Sequence, residues 1–159
     1  MISLIYYRYL MDAMNIRIMN IADYEKVYAL WMSCKNMGFN NLDDSREGIE
    51  KFLKRNPTTS FVAEETGRII GVILSGHDGR RGYVYHMSVA ETLRKQGIAS
   101  KLLEKSLAAL KEEGINKVAL LVFNRNEAGN AFWESQGFVK RDDVAYRNKA
   151  LTEIVRIDT

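Results

Sequence analysis

The stretch Val89-Ala-Glu-Thr-Leu-Arg-Lys-Gln-Gly-Ile-Ala-Ser100 decides the fold of this chain. It follows a run rich in β-forming residues, Tyr83–Val89, and it leads into apolar residues at helical spacing. These are Ile98, Leu102, Leu103, Leu107 and Leu110. A strand therefore passes into a helix through a glycine turn at Gly97. Glycine lets a ligand approach the backbone, and the unpaired N–H groups of a helix start favour an anion, so a diphosphate would fit here. A turn that merely packs a helix on a sheet explains the same residues.

The glycine turn differs from two familiar nucleotide-binding motifs. It lacks the G-x-x-x-x-G-K-[ST] pattern of P-loop nucleotidases and the G-x-G-x-x-G pattern of Rossmann dinucleotide sites. Arg94 and Lys95 add positive charge to the turn, and Ser100 offers a hydroxyl group. The turn is therefore a candidate anion site of another kind.

Working outward, the sequence predicts a mixed α/β single domain. Val118–Phe123 is continuously apolar, as is typical of a strand covered on both faces, and the strand–helix–strand order from Tyr83 predicts a right-handed parallel crossover. Further strands are predicted at Asn15–Asn20, Ser60–Glu64, Arg68–Gly76, Phe138–Tyr146 and Leu151–Ile157. Further helices are predicted at Ala22–Cys34, Arg46–Arg55 and Glu127–Gln136.

Composition excludes several classes of protein. The chain has 159 residues, 47% of them hydrophobic, which suffices for one core without disulfides or metal. One cysteine, Cys34, fits a reducing cytoplasm, and it forms no metal-ligand pattern with His77 and His86. No apolar run approaches the ~20 residues that span a bilayer. The 23 basic residues are scattered among 20 acidic ones. We therefore expect a cytoplasmic protein with no metal and with neither nucleic acid nor membrane as a partner.

The first thirteen residues form an apolar N-terminal extension to a domain at 14–159. Nothing basic precedes the apolar part of this extension, and Arg8 interrupts it, so it lacks the features of a secretory signal. We expect the extension to pack on the domain or on a second copy, and a homodimer is the predicted assembly.

Two segments together resemble the GNAT-type N-acetyltransferase superfamily. Arg94-x-x-Gly97-x-Ala99, after a strand ending in Met87-Ser88-Val89, is similar to the acyl-CoA pyrophosphate loop [QR]-x-x-G-x-[GA] of that family. The segment 126–138, NEAGNAFWESQGF, is similar to the family's N-x-x-A-x-x-[LF]-Y-E-x-x-G-F pattern. The resemblance covers nearly the whole chain apart from residues 1–13.

The resemblance implies a GNAT acyl-CoA N-acyltransferase fold, with a six- to seven-stranded mixed sheet and about four helices. Its two parallel strands would splay apart, and acetyl-CoA would lie in the gap and give its acetyl group directly to a primary amine of a small molecule, peptide or protein. By motif position, the implied cofactor-binding residues are Met87, Ser88, Val89, Arg94, Lys95, Gln96, Gly97, Ile98, Ala99, Ser100, Asn126, Asn130 and Trp133.

The chain departs from the family at the expected proton donor. Much of the family has a tyrosine where this chain has Trp133, and an indole N–H is no practical proton donor. Tyr146, Tyr83 and Tyr85 are the candidates to protonate the departing thiolate. The same departure motivates an alternative, a catalytically inactive acyl-CoA-binding regulatory module. A structural or interaction domain that uses the fold without CoA is a second alternative.

The general base is left open by the sequence. His86 titrates in the right range but would face away from Tyr83 and Tyr85 on a regular strand, unless a bulge turns it. A structural role for His86 is the competing interpretation. Glu64 and Glu65 on a neighbouring strand are further candidates, acting through a water.

Two loops are predicted walls for the acceptor. In the turn His77–Gly82, Asp78 would recognise an amine or Arg80 a carboxylate, although a solvated hairpin turn has the same composition. The turn-rich loop Gly38–Asp44 is the other predicted wall, because loops carry specificity.

Overall fold

A computed structural model describes residues 14–159, and the predicted extension 1–13 lies outside these described residues. Its packing on the domain or on a second copy stays a prediction. The strands are β1 (Met14–Ile18), β2 (Gly38–Asn40), β3 (Phe61–Glu65), β4 (Arg68–His77), β5 (Gly82–Val89), β6 (Val118–Leu120) and β7 (Arg156–Asp158). The α-helices are α1 (Tyr24–Ser33), α2 (Arg46–Arg55), α3 (Ile98–Glu112) and α4 (Glu127–Ser135).

Five strands form one mixed sheet in the order β1-β3-β4-β5-β6. The neighbours are antiparallel except β5 and β6, which are parallel as the crossover predicted. The predicted hairpin is present, because Glu65 pairs with Arg68 across a Thr66–Gly67 turn with positive φ at both residues. The mixed α/β class is confirmed, but the seven strands do not share one sheet: β2 and β7 form a separate antiparallel pair.

Helices cover both faces of the five-stranded sheet. The core on one face holds Val27 and Trp31 of α1, Ile49 of α2, and Val62 and Val72 of the sheet. The core on the other face joins α3 to strand residues, and α4 packs against it; its members include Ile70, Ile73, Val84, Leu102 and Leu103. The sheet's central strands are therefore buried from both sides.

Local sequence signals account for the helices that were predicted best. Ser45 caps α2, and its side chain accepts a hydrogen bond from the Gly48 amide, so the helix starts at Arg46 as predicted. The helix ends at Arg55, ahead of Asn56 and Pro57. α3 begins directly after Gly97, as the apolar spacing predicted.

The strand predictions were weakest at the C-terminal end. Val118–Phe123 is a strand over Val118–Leu120 alone, and the idea that it is covered on both faces was wrong, because β6 is an edge strand and Leu121 is 54% exposed. No strand forms over residues 138–146. There, the side chains of Arg141 and Asp143 form an ion pair, with Nη2 and Oδ2 2.6 Å apart, rather than pairing with residues of a neighbouring strand. Of Leu151–Ile157, the last two residues belong to β7, which pairs with β2.

Within residues 14–159, no helix is long and apolar enough to cross a membrane.

Candidate active site

The two parallel strands separate soon after they meet. β5 pairs with β6 over three positions, from Gly82 with Val118 to Val84 with Leu120. β6 ends there, whereas β5 continues to Val89 with β4 on its other edge. The backbone of β5 from Tyr85 onward therefore faces a gap on the side that β6 has left. The splay that the resemblance implied is present, and it opens at Val84.

A β-bulge lies at the point where the strands separate. Leu74 of β4 pairs with His86, but the next residue, Ser75, pairs with Val84, so Tyr85 is an extra residue in β5. An extra residue interrupts the alternation of side chains along a strand. As a result, Tyr85 and His86 both point to the α1/α2 face of the sheet, where they contact Phe52 and Trp31. The bulge thus turns His86 in the way that the sequence analysis considered.

A cluster of buried hydroxyl groups supports the bulge from β4. The Ser75 hydroxyl donates to the Thr59 carbonyl at 2.6 Å and lies 2.5 Å from the Ser106 hydroxyl of α3. The Ser75 amide donates to the Ser60 hydroxyl at 3.1 Å. All four side chains are buried. Sequence reasoning missed this cluster, although a serine following the apolar run of β4 was a usable signal.

The glycine turn after β5 forms an open cradle. Gly97 has φ +82° and precedes the first turn of α3 without a side-chain capping bond. A Cβ placed on Gly97 would meet nothing within 4 Å. The first-turn amides of Ile98, Ala99 and Ser100 have no acceptor within their own helix, so they suit an anion. The Ile98 side chain itself lies in the core, which leaves its backbone to face the cradle.

Arg94 and Lys95 border this cradle. Arg94 Nε donates to the Val89 carbonyl at 3.2 Å, which holds the guanidinium at the end of β5. Lys95 has φ +60°, and Gln96 follows it into the glycine turn. A diphosphate therefore fits the residues that follow β5, by charge and by the open backbone.

The remaining cofactor-binding residues that the resemblance implied, Asn126, Asn130 and Trp133, fix the shape of the segment that follows β6. Asn126 Oδ1 accepts the Gly129 amide at 2.9 Å and caps α4. Asn130 Nδ2 donates to the Phe123 carbonyl at 2.9 Å and to the Asn126 carbonyl at 2.8 Å. Trp133 packs edge-on against Phe132 and Phe138, each with ring centroids 5.1 Å away. These side chains hold the backbone on the far side of the gap.

Two of the three predicted tyrosines are in contact beside the point where β5 and β6 separate. The rings of Tyr83 and Tyr85 lie 5.1 Å apart. Burial raises the pKa of Tyr83, and the charge that Tyr146 and Tyr85 would carry adds to this rise. Burial also raises the pKa of Tyr85, with further contributions from Asp78, Asp43 and Tyr146. Tyr83 and Tyr85 are therefore in contact and stay neutral phenols at physiological pH, whereas Tyr146 is 64% exposed and affects both through its charge.

His86 lies beside this cluster but is tied to the loop that follows β2. Its Nε2 is 2.6 Å from Asp44 Oδ1, and its ring lies 5.0 Å from Trp31 and 4.7 Å from Phe39. The other carboxylate oxygen of Asp44 accepts the Asn40 amide at 2.7 Å. Sequence reasoning missed the pairing of Asp44 with His86. The two residues stand 42 positions apart, and nothing local signals their contact.

The structure does not bring Glu64 and Glu65 to this site. Glu64 accepts a hydrogen bond from Arg17 of β1 at 3.0 Å, and β4 lies between its strand and β5. Glu65 pairs with Arg68 at the hairpin turn. The proposal that either glutamate acts as a base through a water was wrong, because both lie one strand away from β5, toward β1.

One predicted acceptor wall, the turn His77–Gly82, lies on the tyrosine face, the face of the sheet that carries Tyr83 and Tyr85. A cavity of about 220 Å³ reaches from Tyr83 and Tyr85 to the β4–β5 turn, where Asp78 and Arg81 line it. The backbone amides of Arg81 and Arg80 donate to Asp78 and hold its pKa below the usual value.

The other predicted wall lies at the far side of the gap. At Gly38, an added Cβ would stand 2.8 Å from the ring of Phe123. The start of the Gly38–Asp44 loop therefore lies against the segment that leaves β6. Among residues 14–159, no group of His, Cys, Asp or Glu side chains is arranged to hold a metal.

Comparisons with known proteins agree with this geometry. Residues 24–138 match the family model described as the acetyltransferase (GNAT) family. An acetyltransferase of Sodalis glossinidius (strain morsitans) is 32% identical over 140 residues, which are 88% of this chain and 97% of that protein. The fold is similar to that of Ard1 from Thermoplasma volcanium, with a TM-score of 0.71 and 23% identity over 80% of this chain and 83% of that one.

A second solved structure, AAC(6')-Iy in complex with the bisubstrate analogue CoA-S-monomethyl-acetylneamine, has a TM-score of 0.68 and 19% identity. It covers 86% of this chain and 98% of that one. At identities of 19–23%, the two solved structures show that the fold is shared. The family model and the Sodalis relative show that this chain is related to the family. The chain therefore belongs to the GNAT family of acetyltransferases and is an enzyme of that class.

Proposed function

We propose that this enzyme takes the acetyl group of acetyl-CoA and transfers it directly to a primary amine of a small molecule, peptide or protein. The observation that carries the proposal is the early separation of β5 from β6, which leads to the open cradle at Gly97. The fold neighbour AAC(6')-Iy, whose structure holds a CoA bisubstrate analogue, supports this choice of donor.

The donor is held along the gap. The backbone of Gln96–Ser100, with Arg94 and Lys95 beside it, binds the diphosphate. The backbone groups of Met87 and Val89, on the edge of β5 that faces away from β4, are offered to the pantetheine arm, as an added strand would use them, and Ser88 lies between these two residues. Asn126, Asn130 and Trp133 border the thiol end. Acetyl-CoA supplies the activated thioester, and no covalent enzyme intermediate is needed.

The tyrosines handle the leaving group. Tyr83 and Tyr85 keep their protons because their pKa values are raised, so each is a hydrogen-bond and proton donor rather than a base. One of them, or Tyr146, donates to the departing thiolate in place of the tyrosine that Trp133 replaces. The amine enters as the neutral fraction present in solution, the proton that its nitrogen loses on acylation leaves to water, and the tyrosine regains its own proton from water.

His86 acts as a positioning residue in this proposal. Its ring contacts the rings of both Trp31 and Phe39, and its Nε2 is committed to Asp44. The pair fastens the loop after β2 to the bulged part of β5. The loop Gly38–Asp44, a predicted wall of the acceptor site, is thereby held in a fixed position relative to the tyrosines. His86 does not need to accept the amine proton.

The test is turnover with a range of amines. Mixing the protein with acetyl-CoA and a polyamine, an amino sugar, an amino acid or a peptide is expected to release free CoA thiol, and mass spectrometry is expected to find the acetylated amine. Acetyl-CoA that is neither bound, by calorimetry, nor consumed with any amine would overturn the proposal. Binding without turnover would support the regulatory module instead.

A homodimer is proposed on a separate observation. The segment that follows α4 exposes apolar side chains, among them Val139 at 82% and Leu151 at 92% exposure, and within residues 14–159 no strand pairs with the outer edge of β6. Surfaces of this kind are usually covered by another chain. Light scattering is expected to give twice the mass of the chain, and Leu151→Glu is expected to shift it toward the monomer. The cytoplasmic location stays a prediction that the free, buried Cys34 thiol supports.

A further inference from the structure

We propose that the acceptor is a small amine that also carries an anionic group, a carboxylate or a phosphate, and that Arg55 and Arg81 bind this anion. The inference rests on the proposed function and names the substrate class of the same site. It is carried by the cavity on the tyrosine face of β5, whose lining includes both arginines.

The cavity lies where an acceptor must sit. Tyr83 is paired with Ala119 in the short parallel pairing of β5 with β6. Tyr85 is the bulged residue that comes directly after this pairing ends at Val84. Both side chains line the cavity. An acceptor that fills the cavity therefore reaches the apex of the gap, where the thioester of the donor is expected.

The floor of the cavity is aromatic. Phe52 of α2 contacts Tyr85 edge-on at 5.3 Å, and Tyr85 contacts Tyr83 at 5.1 Å, so three rings form a continuous row. A flat apolar body packs well on such a row. The volume of about 220 Å³ lies below the usual range of roughly 300–1,000 Å³ for drug-sized ligands, so the acceptor is small.

The charges at the rim favour an anion. The guanidinium groups of Arg55 and Arg81 form no hydrogen bond or ion pair with any other residue of the described chain. Among the residues that the structure describes, Asp78 is the one carboxylate that lines the cavity, and it already accepts two backbone amides at 2.7 Å. Guanidinium forks match carboxylate and phosphate oxygens in pairs. An acceptor with several positive charges would instead meet two unpaired cations.

The structure also provides a matched control for Arg81. Arg80 is in the same turn as Arg81 and is equally charged and exposed, yet it does not line the cavity. The sequence had pointed to Arg80 as the carboxylate-binding residue, and the geometry points to Arg81 instead.

The experiment compares three probes that share one ring and one amine. These are 4-(aminomethyl)benzoate, 4-(aminomethyl)phenylphosphonate and the neutral 4-(aminomethyl)benzamide, each acetylated under steady-state conditions. We expect kcat/KM for the better of the two anions to exceed that of the benzamide by at least tenfold, the size of a charge-assisted hydrogen bond. The anion that is preferred tells a carboxylate acceptor from a phosphate one.

The variants assign the preference to the two arginines. Arg81→Gln and Arg55→Gln are each expected to reduce the preference for the anion about tenfold with little change toward the benzamide, whereas Arg80→Gln keeps the wild-type preference. Equal turnover of anion and benzamide by the wild type overturns the inference and leaves the proposed function intact. An equal loss of the preference for the anion in Arg80→Gln also overturns the inference, because a general surface charge would then explain the preference.

A binding measurement keeps the inference testable if no probe is acetylated. Calorimetry of 4-(aminomethyl)benzoate is expected to show binding to the wild type that Arg81→Gln weakens about tenfold and that Arg80→Gln retains. Binding of this kind without any consumption of acetyl-CoA would separate a failure of the proposed function from a failure of the anion site. No binding of either anion to the wild type would overturn the anion site itself.

Discussion

Replacing Gly97 with tryptophan tests the donor site directly, and Gly67 supplies a matched control. Both glycines have positive φ, +82° and +76°, and an added Cβ meets nothing within 4 Å at either position. A side chain in this left-handed region costs about 1–2 kcal/mol, so Gly97→Trp and Gly67→Trp should lose similar stability without ligand. The two variants differ in place: Gly97 opens the cradle before α3, and Gly67 lies in the β3–β4 turn.

Acetyl-CoA separates the two variants. At about 100 times its dissociation constant, a ligand adds about 2.7 kcal/mol to the free energy of unfolding, or roughly 5–11 °C in the melting temperature of a domain of this size. We expect this shift in the wild type and in Gly67→Trp, and almost none in Gly97→Trp, where the indole fills the space for the diphosphate. A full shift in Gly97→Trp, measured by differential scanning fluorimetry, would refute the assignment of this turn as the donor site.

Three further predictions follow from single contacts. Burial raises the pKa of Tyr24 to about 12, so the stability that its neutral phenol contributes is present below pH 10 and is lost between pH 10 and 12. Over this pH range, denaturant titrations should show that the free energy of unfolding of the wild type falls by an amount on the order of 2–3 kcal/mol, and Tyr24→Phe should lack this fall. Ser75→Ala should lower the free energy of unfolding by about 2–3 kcal/mol and Ser106→Ala by about 1 kcal/mol. The larger loss is expected because removing Ser75 Oγ leaves two buried partners, the Thr59 carbonyl and the Ser106 hydroxyl, without this hydrogen bond. Urea unfolding of the two variants measures the difference. His86→Asn should raise the acceptor KM and keep the shape of the pH profile of kcat/KM, whereas loss of the acidic limb of that profile in the variant would make His86 the base.

The parts of the fold that the sequence predicted well depend on local signals. The start of α2 follows from its serine cap, and the start of α3 from Gly97 together with the apolar spacing behind it. The parallel crossover followed from the order of strand, helix and strand. The shape of the turn at Gly97 was predicted by the same local pattern, because a glycine before a helix needs no distant partner to form it.

The parts that the sequence could not predict depend on distant partners. β6 is short because it lies at an edge, and the apolar run that codes for it would suit a buried strand equally well. β7 pairs with β2, more than a hundred residues away, rather than extending the main sheet. The contact between His86 and Asp44 is of the same kind. Periodicity reports which face of an element is apolar, but it does not report which strand or side chain will lie opposite.

One irregularity in β5 connects the two halves of the proposed site. The parallel pairing stops at Val84, and the bulged residue Tyr85 follows immediately. Because the extra residue turns His86 to the face that already carries Tyr85, the place where the donor gap opens is also the place where the acceptor face gains the His86 side chain. A strand without the bulge would separate them: Tyr85 would stay with Tyr83, and His86 would point into the α3 core among apolar residues. The buried hydroxyl of Ser75, opposite the bulge, is therefore expected to influence both substrates, although it touches neither.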